Sequence, residues 1–209
     1  MKEKPKHIAI AGNIGAGKTT LSNLLARHYK WEAMFEDTSD NPYLSDFYGN
    51  MSRWSFNLQI YFLNSRFQQV AAIQRGEKTV IQDRTIYEDA KIFAPNLFEM
   101  GFMSKRDFNN YQSLFEIMSS YISPPDLLVY LKSDIATLVE HIQARGRDYE
   151  GSINLEYLSH LNEKYNEWIQ SYNLGKLLII NISNKDFVKQ PSHLAEVIEK
   201  IDAELFGLF

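Results

Sequence analysis

The sequence predicts an α/β fold in which helices cover both faces of a five-stranded parallel sheet, giving three layers. Two observations predict it: short apolar runs alternate with long amphipathic stretches, and a glycine-rich turn follows the first apolar run. A third observation concerns the domain organisation. No linker-like, repetitive or low-complexity segment divides the chain, so we expect residues 1–209 to form a single domain.

Five apolar runs have the length of buried strands. Runs of this length without a helical period are typical of the interior of a parallel sheet, where both faces are covered. They are 7–11 (HIAIA), 31–35 (WEAMF), 79–82 (TVIQ), 127–131 (LLVYL) and 177–180 (LLII).

The stretches between these runs carry apolar residues at helical spacing. Gly76 and Gly175 stand where glycine commonly ends a helix, and Pro95 is expected to kink or end the helix that contains it. Ser133 is expected to cap the helix that runs to Arg145. The predicted helices are 18–28, 52–75, 87–98, 104–122, 133–145, 154–174 and the tail from 192.

Composition excludes several classes of protein. Apolar residues make up 44% of the chain, enough for a core without cross-links. The absence of cysteine excludes disulfides, thiolate zinc sites and cysteine nucleophiles, and it suits a reducing cytoplasm. A net charge of −4 disfavours a nucleic acid polymer as partner, and the apolar runs are far shorter than a membrane span. We therefore expect a cytoplasmic protein with neither kind of partner.

Residues 12–19 (GNIGAGKT) match the phosphate-loop pattern G-x-x-x-x-G-K-[ST] in full, between the first strand and the first helix. In such a loop the backbone N–H groups point at phosphate oxygens, and the helix N-terminus adds its positive dipole end. Lys18 is expected to reach the β- and γ-phosphates and the Thr19 hydroxyl to ligate Mg²⁺. The residues predicted to bind the nucleotide are Gly12, Asn13, Ile14, Gly15, Ala16, Gly17, Lys18 and Thr19.

Acidic residues follow the second and third predicted strands, at Glu36 and Asp83. Ligands of parallel sheets bind beyond the carboxyl ends of the strands, so both carboxylates should face the phosphate loop. One carboxylate can hold Mg²⁺ while the other accepts a proton from an attacking hydroxyl, and Arg84 can neutralise a phosphoryl group in transfer. A motor or transporter ATPase is normally larger than this chain, so a kinase of small substrates is the leading class.

Taken together, the motifs resemble those of the deoxyribonucleoside kinases, which include the deoxycytidine, deoxyguanosine and deoxyadenosine kinases. The resemblance runs in order from about residue 7 to residue 187. It implies a P-loop kinase fold with an arginine-containing lid, ATP as phosphoryl donor and Mg²⁺ as cofactor. Its segments are 12–19, Glu36, 47–66 (FYGNMSRWSFNLQIYFLNSR), 83–94 (DRTIYEDAKIFA) and 145–150 (RGRDYE).

The resemblance assigns the chemistry of the acceptor site. It implies that Glu36 contacts the 5′-hydroxyl as general base, and that Asp83, where many relatives have glutamate, serves the metal beside Arg84. Either acid could formally accept the proton, and Glu36 is favoured. Lys18 completes the predicted catalytic set.

The resemblance also places the nucleoside. Gln59 corresponds to the glutamine that pairs with the base, although its amide suits adenine, cytosine or, after a flip, guanine. Arg66 lies two helical turns further on, on the same face, and with Asp89 it matches a pair that lines the base pocket. The alternative interpretation of Arg66 and Asp89 is an ion pair on the protein surface. Tyr48 and Glu150 match the residues that bind the sugar 3′-hydroxyl, and Phe93 is expected to wall the pocket.

The donor side follows from the same resemblance. Arg145 and Arg147 correspond to lid arginines that clamp the donor phosphates, a task suited to the planar guanidinium. His141 stands where many relatives have another arginine, so either the donor phosphates have fewer contacts or a protonated His141 supplies one. The donor adenine is expected near Lys185, Asp186 and Phe187.

The function predicted is ATP-dependent phosphorylation of the 5′-hydroxyl of deoxyribonucleosides. Deoxyadenosine is favoured, deoxycytidine and deoxyguanosine follow closely, and thymidine is disfavoured; the short chain and its NPYL segment at 41–44 resemble bacterial deoxyadenosine-type members. A nucleoside monophosphate kinase such as thymidylate kinase, and a nucleotide-binding module without catalysis, are the alternatives.

The resemblance further implies a homodimer formed through helices before the fourth strand. An apolar helical stripe in that region could serve as the interface or as intramolecular core. It consists of Phe108, Tyr111, Phe115 and Met118.

Overall fold

A five-stranded sheet forms the centre of the computed structural model, which describes residues 6–35, 41–147 and 153–207. The strands are β1 (His7–Gly12), β2 (Glu32–Met34), β3 (Val80–Asp83), β4 (Leu127–Lys132) and β5 (Lys176–Asn181). All neighbouring strands are parallel, in the order β2-β3-β1-β4-β5. The predicted strands are confirmed within one residue at each end.

Helices fill the connections between the strands. A π-helical segment, Asp89–Phe93, joins α4 to α5. None of the described helices has the length and apolar character that crossing a membrane requires. The helices are α1 (Lys18–Tyr29), α2 (Leu44–Gly49), α3 (Met51–Arg75), α4 (Ile86–Glu88), α5 (Ala94–Glu99), α6 (Lys105–Ser119), α7 (Ile135–Arg145), α8 (Leu155–Gln170) and α9 (Pro191–Phe206).

The core lies on both faces of the sheet because side chains alternate along each strand. Ile8 and Ile10 of β1 pack with residues of α1, α7 and α9, whereas Ala9 and Ala11 pack with residues of α3, α6 and α8. All four are fully buried. The three-layer α/β fold predicted from the sequence is confirmed.

Pro95 does not end the helix that contains it. The chain stays helical to Glu99, and Pro95 falls in the first turn of α5, directly after the π-helical segment. Proline is tolerated in the first turn of a helix because a backbone N–H there has no hydrogen-bond acceptor within the same helix.

Two predicted helix ends are corrected. The cap of α7 is Asp134, whose Oδ1 accepts the N–H of Thr137 at 2.8 Å, and not its neighbour Ser133. Gly76 does follow α3, but its φ of −78° is extended, so it is not a left-handed glycine cap.

Two further helices differ from prediction. The helix α8 ends at Gln170, short of Leu174 and Gly175. The helix α2 was not predicted, because its six residues are too few to show a period and lie among turn-forming residues.

The apolar stripe considered for a dimer packs within this chain. Tyr111 and Phe115 are buried, and Phe108 and Met118 pack against the same core. The exposed apolar residues of this region are instead Leu114, Ile117 and Tyr121.

Candidate active site

A cleft of about 860 Å³, including its open mouth, lies at the carboxyl ends of β1 and β3. Ile10 pairs with Asp83 across these strands, so β3 ends beside the phosphate loop. The volume suits a small molecule. The predicted site residues that line the cleft are Ile14, Gly15, Lys18, Thr19, Tyr48, Gln59, Asp83, Arg84, Asp89, Phe93, Arg145 and Arg147.

Two of the predicted site residues, Glu36 and Glu150, fall outside the described residues. Arg66 is not in the cleft wall but is paired with Asp89, which is.

The segment expected to hold the donor adenine is also outside the cleft wall. Lys185 pairs with Glu196, the Asp186 carboxylate accepts two backbone N–H groups of its own turn, and Phe187 is buried in the core. Its role toward the donor stays a prediction.

The phosphate loop packs closely against α7. Gly15 has a φ of +85°, and a Cβ atom placed there would lie 2.6 Å from the carbonyl oxygen of Leu138. Only glycine fits both the backbone conformation and the space. The Lys18 ammonium group donates a hydrogen bond to the carbonyl of Asn13 at 3.0 Å, which folds the lysine over the loop.

Asn13 anchors the loop on the opposite side. Its Nδ2 donates to the carbonyl of Leu158 at 3.1 Å and to Oδ1 of Asn162 at 3.3 Å, both on α8. Its own Oδ1 accepts the N–H of Ile14 at 2.8 Å. This side chain therefore holds the loop in place, a role that the phosphate-loop pattern does not specify.

Thr19 and Asp83 are in direct contact. The Thr19 hydroxyl donates to Asp83 Oδ2 at 2.5 Å, and Asp83 Oδ1 is buried with no hydrogen-bond partner among the described residues. A hydroxyl beside a carboxylate with a spare oxygen is a donor set of the kind that Mg²⁺ prefers. These two residues fit the metal predicted for them.

Arg84 is held in an unusual conformation at the floor of the cleft. Its φ of +72° is left-handed, and its backbone N–H donates to the carbonyl of Ile10 at 3.0 Å. The guanidinium lies over the ring of Phe93, 4.4 Å from the ring centroid, and donates to the hydroxyl of Tyr165 at 3.3 Å. A left-handed arginine is strained, so its surroundings must hold it there.

Glu88 is a site residue that the sequence analysis missed. It is fully buried and accepts hydrogen bonds from the Tyr165 hydroxyl and from the backbone N–H groups of Gly12 and Thr85. Thr85 and Glu88 form a capping box at the start of α4. The T-x-x-E pattern at 85–88 is a sequence signal of that box and could have singled out Glu88.

At the far end of the cleft, the groups predicted to meet a nucleobase are buried. Gln59 is 2% exposed, and its Oε1 has no hydrogen-bond partner in the described part of the chain. Arg66 Nε lies 3.3 Å from Asp89 Oδ2, with both side chains buried. The alternative of a surface ion pair is therefore wrong. Burial and the Asp89 carboxylate raise the pKa of the neighbouring Tyr111 well above 10, so Tyr111 stays protonated.

Two arginines reach the cleft from the end of α7. Arg145 is the last residue of that helix, and Gly146, with a φ of +63°, turns the chain toward Arg147. One turn earlier, His141 Nδ1 lies 2.8 Å from the carbonyl oxygen of Gly15. His141 thus bonds to the phosphate loop itself.

Comparison with known proteins decides the family. The family model for deoxynucleoside kinases matches residues 8–206, nearly the whole chain. This protein belongs to the deoxynucleoside kinase family. It is therefore an enzyme that phosphorylates deoxynucleosides, and the family decides against the monophosphate kinase and the module without catalysis.

Relatives of this kinase match nearly its whole length. It is 37% identical to the deoxyadenosine/deoxycytidine kinase of Bacillus subtilis, over 96% of this chain and 95% of the relative. It is 42% identical to the deoxyadenosine kinase of Dictyostelium discoideum, over 92% of this chain and 78% of the relative. A structure of deoxyadenosine kinase from M. mycoides, with products dCMP and a flexible dCDP bound, superposes with a TM-score of 0.85. The two sequences are 27% identical, and the superposition covers 94% of this chain and 99% of the other.

Proposed function

We propose that this kinase transfers the γ-phosphoryl group of Mg-ATP to the 5′-hydroxyl of deoxyribonucleosides. Deoxyadenosine is the preferred acceptor, deoxycytidine and deoxyguanosine are accepted, and thymidine is disfavoured. The observation that carries the proposal is the position of Gln59 and the buried Arg66–Asp89 pair at one end of a cleft whose other end is the phosphate loop. The deoxyadenosine and deoxycytidine kinases among the relatives support this preference.

Gln59 supplies both kinds of hydrogen-bonding group that a base edge needs. A carboxamide has one acceptor oxygen and two donor hydrogens, which match the N6 amino group and N1 of adenine or the N4 amino group and N3 of cytosine. Gln59 lines the cleft, and its Oε1 is buried without a hydrogen-bond partner among the described residues. The amino group of a bound base can therefore donate a hydrogen bond to it.

The Arg66–Asp89 pair supplies the discrimination against thymine. Asp89 lines the cleft and is held from behind by Arg66, in a geometry where both charges are buried. A wall fixed by a buried ion pair cannot retreat to admit the 5-methyl group of thymine. Asp89, the member of the pair that lines the cleft, also offers carboxylate oxygens to the amino group of a base.

Cationic side chains surround the position proposed for the transferred phosphoryl group. Lys18 and Arg84 approach from the loop and from β3, and Arg145 and Arg147 approach from the end of α7. Charge of this kind, fixed before the reaction, lowers the barrier by stabilising the oxygens that become more negative. Thr19 and Asp83 would hold Mg²⁺, which would supply positive charge to offset the negative charge of the phosphate groups.

Glu36 is the proposed general base, an assignment that rests on the family resemblance. Asp83 is already bonded to the Thr19 hydroxyl, which suits it to the metal and leaves the proton to Glu36. Tyr48 lines the cleft and, with Glu150, is proposed to bind the 3′-hydroxyl of the sugar.

The test is ADP formation from Mg-ATP with deoxyadenosine, deoxycytidine, deoxyguanosine, thymidine and dTMP offered separately. We expect strong turnover with deoxyadenosine, turnover with the other two amino bases, and little with thymidine. Efficient turnover of thymidine would contradict the reading of the base pocket. Turnover with dTMP alone would contradict all the acceptor-site assignments while leaving the phosphate loop intact.

A pair of variants ties that result to Gln59. Gln59→Leu removes both hydrogen-bonding groups and should lower kcat/KM for deoxyadenosine about 10- to 100-fold, the cost of one or two hydrogen bonds to a buried group. Gln68→Leu, on the exposed face of the same helix, is the matched control and should leave kcat/KM unchanged. Equal effects of the two variants on kcat/KM would contradict the proposed contact between Gln59 and the base.

We further propose that the enzyme is a homodimer that acts in the cytoplasm. Leu114, Ile117 and Tyr121 are spaced three and four residues apart and remain 38%, 58% and 76% exposed, a continuous apolar stripe on one side of α6 and the turn after it. Exposed stripes of this kind mark protein interfaces. Analytical ultracentrifugation should show a dimer that Ile117→Glu converts to monomer, with Val188→Glu, at another exposed apolar position, as control. A monomeric wild type would contradict the proposal.

A further inference from the structure

A buried hydrogen-bond network lies behind Arg84 and connects it to the phosphate loop. Arg84 Nη1 donates to the Tyr165 hydroxyl at 3.3 Å, and that hydroxyl donates to Glu88 Oε1 at 2.7 Å. The same carboxylate oxygen accepts the N–H of Gly12, the first residue of the loop, at 3.2 Å. Two side chains thus span the distance between the guanidinium and the loop.

Both carboxylate oxygens of the buried Glu88 accept hydrogen bonds. A carboxylate taken out of water is costly unless hydrogen bonds replace its hydration. Here Oε2 accepts the N–H of Thr85 at 2.7 Å, and Oε1 accepts from Gly12 and from Tyr165. Thr85 follows Arg84 directly, so Glu88 fixes the backbone on the far side of the strained residue as well.

Tyr165 transmits this position to the guanidinium. A phenol has one proton, and because that proton goes to Glu88, the oxygen is left to accept from Arg84. Its ring is held by stacking on Tyr130, with centroids 5.7 Å apart. Burial and the Glu88 carboxylate raise the pKa of Tyr165 well above 10, so the hydroxyl keeps its proton.

We propose that Glu88 and Tyr165 are positioning residues, which hold the Arg84 guanidinium at a fixed place relative to the phosphate loop. The proposal rests on the proposed role of Arg84 in stabilising the phosphoryl group. The left-handed backbone sets the direction of Arg84, and the Tyr165 hydroxyl is one of the contacts that hold its guanidinium. Glu88 links that hydroxyl to the backbone of Gly12.

The experiment is a double-mutant cycle in kcat with Mg-ATP and deoxyadenosine. Tyr165→Phe deletes the bridging hydroxyl and keeps the ring. We expect kcat to fall about tenfold, the factor that one hydrogen bond to a charged group represents, while both KM values change less than about twofold. In the Arg84→Ala background the same substitution should cost nothing further, because there is no guanidinium left to position.

A matched control separates this effect from the loss of any buried phenol. Tyr172→Phe removes a buried hydroxyl that has no hydrogen-bond partner among the described residues, close to the end of the same helix. It should leave kcat unchanged in both backgrounds.

Glu88→Gln provides the second variant. The amide nitrogen of glutamine must face an N–H or O–H donor somewhere in this network, so kcat should fall at least as far as in Tyr165→Phe. The cycle with Arg84→Ala is repeated on it, which also covers the case that Tyr165→Phe unfolds at the assay temperature. If Arg84→Ala is too slow for steady-state assay, ADP formation is followed in a single turnover at high enzyme concentration.

The outcomes distinguish this inference from the proposed function. If Arg84→Ala alone leaves kcat unchanged, the proposed role of Arg84 is wrong. If Arg84→Ala lowers kcat but Tyr165→Phe and Glu88→Gln cost the same factor in both backgrounds, the positioning role is overturned and the network is only structural. Loss of the effect in the Arg84→Ala background supports it.

Discussion

The hydroxyl of Thr19 donates a 2.5 Å hydrogen bond to Oδ2 of Asp83, and these two residues lie 64 positions apart in the chain. Thr19 belongs to the first turn of α1, and Asp83 is the last residue of β3. The parallel register that pairs Ile10 with Asp83 brings the end of β3 beside the start of the loop. The strand register thus holds the two oxygens proposed to meet the metal side by side.

Replacing Asp83 by asparagine should therefore raise the Mg²⁺ concentration needed for activity. The amide oxygen can still accept from Thr19, but the charge that attracts the metal is lost. We expect kcat at saturating Mg²⁺ to fall about 10²- to 10³-fold, as for removal of one preorganised stabilising group. A Mg²⁺ titration of kcat measures both effects, with Asp46→Asn, an exposed aspartate of α2, as control. An unchanged titration curve would exclude Asp83 from the metal site.

Removing one partner of the Arg66–Asp89 pair should destabilise the protein strongly, whereas breaking a surface pair should not. Both side chains are almost completely buried, so removing either leaves a charge without its partner in the interior. We expect Asp89→Leu and Arg66→Leu each to lower the free energy of unfolding by about 3–5 kcal/mol, measured by urea denaturation. Lys200→Ala, which breaks an exposed pair with Glu196 on α9, should have a much smaller effect. Similar losses for the buried and exposed pairs would contradict this prediction.

The sequence predicted most of what depends on local pattern. The phosphate loop, the strands and the long helix α3 are confirmed because each has its own residue period or motif. The helical spacing of seven also placed Gln59 and Arg66 on one face of α3, and the structure shows both side chains buried on that helix. Where two neighbouring residues could both cap a helix, as at Ser133 and Asp134, pattern could not choose between them.

Contacts between distant elements were beyond this kind of reasoning. Tyr165 meets Glu88 only after α8 has packed in the core beside one face of the sheet, and an aromatic residue at helical spacing predicts core packing and nothing more. The link between Asn13 and α8 was missed for the same reason. His141 was recognised as a departure from the family, but its carbonyl partner in the loop could not be deduced from the sequence.

A buried histidine at the opposite end of the sheet predicts a dependence of stability on pH. His7 is buried, its Nε2 donates to Gln82 Oε1 at 2.9 Å, and burial lowers its pKa below the usual 6.5. Near pH 8 the histidine is neutral in both states and contributes almost no slope. As the pH falls below 6.5 the unfolded state takes up the proton first, so the free energy of unfolding decreases, by at most about 1.4 kcal/mol per pH unit.

Urea denaturation between pH 5 and pH 8 measures this slope. His7→Gln should reduce it, because an amide can replace the hydrogen bond but does not titrate. His28→Ala, at an exposed histidine of α1, should leave it as in the wild type. A wild-type slope retained in His7→Gln would assign the pH dependence to other groups.

His141 should act on the affinity for ATP through the phosphate loop and without a change of its own charge. Its Nδ1 lies 2.8 Å from the Gly15 carbonyl, so Nδ1 carries the hydrogen in the neutral ring and in the protonated ring alike. His141→Ala should raise the KM for ATP about 2- to 10-fold, the range of one hydrogen bond, and leave the KM for deoxyadenosine unchanged. His141→Asn, whose amide can donate to the same carbonyl, should restore most of the affinity, and His28→Ala is the control. A wild-type KM for ATP in His141→Ala, or no recovery of affinity in His141→Asn, would contradict the link to Gly15, since the prediction depends on the hydrogen bond that holds the loop against α7.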